Sequence, residues 1–283
     1  MLPYTISRVF RLGKKSKAQK KKVSALNLFS KRQKFVLAVL LLSFGLFISE
    51  YLFSSYAVAM PFLLAVLTDI LLLGSVYDDL QENFSFHPLV LPFLCSLAFG
   101  LFYFLAPARL ISRLILTSLY ALGLYSLFLS ENIFIVASIR TIALLHSARI
   151  VTFVITLISY FFLTNIIFSL RLELIPTIIM YFIFTALFIY HALWANTLEK
   201  SFKVHGLWIG ILSLCLIEAA SILWFWPTSP TVLSVFLSGM FYILLGLTNI
   251  WLDRRLFKNV IWEYVWVGIF SCVLLLWFTS WQG

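Results

Sequence analysis

The sequence predicts an all-α, polytopic membrane protein of about nine transmembrane helices, with a short helical segment (132–147) at the cytoplasmic face. Three observations predict it. The chain is 62% hydrophobic and only 11% charged, where soluble domains carry about 25% charged residues. Its mean hydropathy of +1.02 is concentrated in repeated apolar runs of about 20 residues, the length that crosses a hydrocarbon core of about 30 Å. No stretch shows the short alternating segments of an outer-membrane barrel.

The chain opens with a basic arm, residues 1–34, which holds 11 of the 21 Lys and Arg and no acid. Such a run is expected to be disordered and to lie against anionic lipid headgroups, at about 1 kcal/mol per basic residue near the surface. That reading is preferred to binding nucleic acid. Ala57-Val58-Ala59 resembles a leader cleavage site, but the basic region is too long and Pro61 follows closely, so the first apolar run reads as a retained span. Residues 35–283 then form a single transmembrane bundle.

Span 1 covers about 35–54 and span 2 about 57–77. A polar loop, Asp78–Pro88, leads to span 3 at about 89–106, closed by Pro107. Span 4 (about 110–129) ends at Ser130-Glu131-Asn132, which reads as a helix start. Span 5 (about 148–170) continues from it without a proline or glycine. Span 6 is about 174–195, with Pro176 in its first turn. Spans 7, 8 and 9 follow at about 206–226, 231–252 and 260–281. Tryptophans gather at the span ends, as interfacial belts require.

The piece Asn132–Leu145 decides sidedness. Fourteen residues give about 21 Å of helix, too short to cross. With nine spans, 18 Lys and Arg fall on the side of the arm and 3 on the other, as the positive-inside rule demands. The expected topology is a cytoplasmic N-terminus and an external C-terminus. Within 132–147 the stripe Asn132, Val136, Arg140, Ala143 and Ser147 is expected to pack on the bundle with Arg140 inward. His146 and Arg149 join it as cytoplasmic-face candidates.

Charges inside spans are costly and mark structure or function. Four qualify: Glu50, Asp69, Arg113 and Glu218. Glu50 and Arg113 lie at similar depth and suggest a structural pair; Asp69 and Glu218 lie nearer the middle and suggest a transport site or a neutral acid. Asp78, Asp79 and Glu82 are weak metal candidates, because Mg²⁺ chemistry on diphosphates needs several carboxylates and no second acidic cluster follows. The sequence has no phosphate-binding loop, nucleophile elbow or paired-histidine helix, so neither a cofactor nor catalytic residues are assigned. Cys95, Cys215 and Cys272 stand singly in apolar runs.

The stretch E-N-I-F-I-V-A-S-I-R-T-I-A-L-L-H-S-A-R, Glu131–Arg149, with its continuation to Leu170, resembles uncharacterised multipass membrane proteins of small-genome bacteria. The resemblance implies a bacterial cytoplasmic membrane and supplies no site residues. The leading expectation is a structural or accessory membrane component, with a membrane-protein partner or a second copy of itself as candidate partners. A transporter built on Asp69 and Glu218, and a lipid-linked transferase at the cytoplasmic face, are the alternatives.

Overall fold

The computed structural model describes residues 30–53, 59–80, 86–107, 109–138, 143–198, 202–254 and 257–279, without the side chains of 50–53, 77–80 and 202–204. The described residues form nine helices and no strand: α1 (Lys31–Phe53), α2 (Ala59–Leu80), α3 (His87–Leu105), α4 (Leu110–Ala137), α5 (Leu145–Ser169), α6 (Leu174–Thr197), α7 (Phe202–Trp224), α8 (Pro230–Leu252) and α9 (Lys258–Trp277). All nine are long and apolar enough to cross a membrane. In hydrocarbon each backbone polar group must be satisfied within the chain, which favours helices of this length.

Hydroxyls inside the spans follow the same rule. Thr68, Thr156 and Thr248 each donate to the carbonyl four residues earlier, at 2.7–2.8 Å. Others stitch helices together, which counts where apolar contact alone gives no preference over lipid. Ser96 on α3 bonds Thr68 on α2 at 3.0 Å and Tyr120 on α4 at 2.8 Å. Asn165 on α5 donates to Thr231 and Ser234 of α8.

Helices α3 and α5 are the centre of the bundle: 61% of the apolar 18-residue stretch of each is buried, against 17% for that of α9. Helix α5 packs on α3, α4, α6 and α8, whereas α9 packs on α8 alone among the substantial contacts. Cross-helix contacts align the ends. Arg149 near the start of α5 donates to Ala195 at the end of α6; Trp226 after α7 donates to Thr279 after α9 at 2.8 Å. Successive helices therefore run in opposite directions, and one face collects the ends around 80–87, 137–145, 197–202 and 252–258.

The structure redraws three expectations. Lys31, Arg32 and Lys34, counted with the arm, begin α1, because Ser30 and Gln33 form a reciprocal capping pair: Ser30 N–H donates to Gln33 Oε1 at 2.8 Å and Gln33 N–H to Ser30 Oγ at 3.4 Å. The rest of the arm lies outside the described residues. Ser130-Glu131-Asn132 does not start a helix; it lies inside α4, with no proline or glycine between it and Ala137. The segment 132–147 is accordingly not a separate helix: its first residues extend α4, Ala143 and Leu144 form a turn, and its last residues open α5. Arg140 lies outside the described residues.

Candidate functional site

Two features stand together at the face that carries the loop between α4 and α5. The first is a pocket of about 350 Å³ between α5, α6, α8 and α9. Its polar lining comes from His146, Arg149, Thr152, Asn196, Asn249 and Asp253, with Tyr264 as the wall contributed by α9. It extends from His146 at the start of α5 down to Thr156, a depth of about 15 Å at about 1.5 Å rise per residue. Small residues make the room: Ala192, Ala195 and Gly246 line it where larger side chains would fill it.

Local sequence explains each position. Arg149 donates through Nε to Ala195 O at 3.3 Å and through Nη2 to Asn196 O. It thus satisfies carbonyls at the end of α6 that have no partner within their own helix. Three further lining atoms have no hydrogen-bond partner among the described residues: Thr152 Oγ1, Asn196 Nδ2 and Asn249 Oδ1. Thr152 is 2% exposed. Buried polar groups without partners are costly, about 1–3 kcal/mol each, and these three atoms are shielded from solvent behind the lining. Arg149 and Asp253 give the lining one cation and one anion.

The second feature is a fully buried pair. His191 Nε2 on α6 lies 3.0 Å from Glu131 Oε1 on α4, both side chains 0% exposed. Neither imidazole nitrogen and neither carboxyl oxygen makes a geometrically sound hydrogen bond. As imidazolium with carboxylate, or imidazole with carboxylic acid, the pair is neutral overall. That neutrality is what lets it sit in the bundle, where a lone charge would cost several kcal/mol. Aromatic rings enclose it: Trp194 lies 5.6 Å from the His191 ring and stacks at 5.2 Å on His87, which in turn stacks on Tyr190 at 5.3 Å. Phe134 meets Trp194 edge-on at 6.0 Å. His191 precedes Ala192 of the pocket wall in α6 but does not itself line the pocket.

Of the sequence candidates, the structure places His146 and Arg149 in the pocket, His146 exposed and Arg149 half-buried. Asp69 is half-buried in the middle of α2, its Oδ1 without a hydrogen-bond partner among the described residues. Glu218 faces outward from α7. These two are not brought together: α2 packs on α1, α3 and α4, whereas α7 packs on α6 and α8. Arg113 is half-buried and engaged within the chain. The side chains of Glu50, Asp78, Asp79 and Glu82 lie outside the described residues. Among the described residues no group of three or more His, Cys, Asp and Glu is placed to hold a metal ion.

Glu131 and His191 are absent from the sequence-derived candidates, although a signal exists. Each stands six residues before its helix end, Ala137 or Thr197, about 9 Å below the same face. An acid and a base at matched depth identify the pair once α4 is extended past residue 129.

The fold and its pocket define a multipass helical membrane protein with a polar recess at one face. Residues 32–278 match the model of the family described as "Protein of unknown function (DUF5656)", and the chain belongs to that family. No curated protein and no solved structure matches the chain.

Proposed function

We propose that this protein is an accessory component of the bacterial cytoplasmic membrane that holds the headgroup of a zwitterionic phospholipid in the recess between α5, α6, α8 and α9. The observation that carries the reading is the lining: Arg149 and Asp253 set one cation and one anion beside the polar Asn196 and Asn249. A zwitterionic headgroup offers phosphate oxygens to the arginine and the amide donor, and an amine to the carboxylate. A recess of about 350 Å³ falls at the small end of ligand pockets, which span about 300–1,000 Å³. It lies between helix ends, at the depth of lipid headgroups, with the apolar Ile150 exposed beside it for an acyl chain.

The charge distribution supports a cytoplasmic position for this face and for the basic arm, with the end of α9 on the outside. The reading assigns binding and no catalytic step. An ion pathway through Asp69 and Glu218 draws less support, because their helices do not pack together.

Native mass spectrometry of the detergent-purified chain, exchanged against phosphatidylethanolamine and phosphatidylglycerol, tests it. The expected result is selective retention of the zwitterionic lipid. Arg149→Gln with Asn249→Leu should cut retention by about tenfold, the equivalent of two ordinary polar contacts. Equal retention by a variant with an unchanged melting curve overturns the reading, and so does selective retention of the anionic lipid.

A further inference from the structure

Helix α7 carries an acid where a membrane helix should have none. Glu218 lies six residues before the end of α7 at Trp224, about 9 Å inside the bundle end, and its side chain is exposed. Long basic side chains reach the interface from such depths by extending along the helix; glutamate is too short to do so. Around it the surface is apolar. Gly206, Gly210, Leu214, Glu218 and Ile222 recur every four residues and form one ridge, with Leu214 58% and Ile222 66% exposed. A Cβ added at Gly210 would meet nothing within 4 Å, so a neighbouring backbone has room to approach there. The face is bare among the described residues because the substantial packing of α7 is on α6 and α8.

We infer that this ridge is the interface with a second copy of the same chain. Copies inserted in one orientation relate through a two-fold axis along the membrane normal. About such an axis each residue of the central ridge meets its own equivalent at its own depth. Two Glu218 carboxyls then face each other and share a proton, one acid donating to one carboxylate. The pair carries one charge instead of two and leaves neither carboxyl exposed to lipid. No cation among the described residues serves instead. Every described Lys and Arg stands within about one turn of a helix end, and Arg113 on the outer half is already engaged. Four-residue ridges with small residues are the geometry of close helix crossings in membranes.

Cys215, exposed on the same side of α7, reports the contact. In the full chain with Cys95→Ser and Cys272→Ser, copper-phenanthroline oxidation in native membranes should give a product of twice the chain mass. A chain keeping only Cys272, which is also exposed but lies on α9, should give little. Glu218→Gln should keep the product, since paired amides also hydrogen-bond. Glu218→Leu should lower it roughly threefold or more, as losing an interhelical hydrogen bond predicts. Equal yields from Cys215 and Cys272, a conjugate of any other mass, or full dimer in a well-folded Glu218→Leu chain would each overturn the inference.

Discussion

Removing the His191 imidazole would strand the Glu131 carboxyl in the middle of packed helices. For His191→Ala we expect a loss of about 3–5 kcal/mol, the usual result of breaking one side of a buried pair. Converting both residues, Glu131→Leu with His191→Leu, should recover most of that loss, because an apolar pair of similar volume carries no desolvation cost. Melting curves of the three variants in one detergent check this; a double variant as weak as His191→Ala would show that the pair contributes more than neutralisation. His146 and Arg149 were singled out by their type and position, and both line the recess. Glu131 was passed over because Ser-Glu-Asn resembles a helix start, and the local signal outweighed the absence of any breaker after it. The unmatched atoms of Thr152, Asn196 and Asn249 had no signature, since partnership is a property of the packed chain.

Glycines set how closely two elements approach where α9 meets α8. A Cβ at Gly246 would lie 2.4 Å from the Tyr264 ring, and one at Gly239 would lie 2.4 Å from Ser271 Oγ. The two glycines are seven residues apart on one face of α8, so together they form the groove in which α9 rests. Gly246→Leu should push α9 outward and cost about 1–3 kcal/mol, as overpacking usually does, with loss of lipid retention. Adding Tyr264→Ala should restore the melting temperature without restoring the recess wall. Retention by the single variant would show that α9 does not complete the site. Element positions were legible because runs of about 20 apolar residues leave few alternatives. The exception is the junction of α4 and α5, where no proline or glycine announces a break. A straight helix would hold Phe134 and Ala148 about 21 Å apart, yet they share one apolar cluster with Trp194 and Ala195. Tertiary packing, absent from local sequence, bends the chain there.

The described chain is an alternating bundle in which the start of α1, the buried pair and the recess occupy one end. A lone cysteine introduced as His146→Cys, with the three native cysteines replaced, should react with an impermeant maleimide from the side that carries the arm. Reaction only from the opposite side would invert the orientation and place the recess outside the cell. The order in which the helices join has a consequence for how the protein is made. Helix α9 is synthesised after the other eight described helices and has its substantial packing on α8, yet it supplies Tyr264 to the recess. During translation an eight-helix intermediate therefore assembles with its recess open on one flank. Until α9 settles, the lipid proposed for the recess has no closed site, and quality control in the membrane meets a bundle still open on that flank.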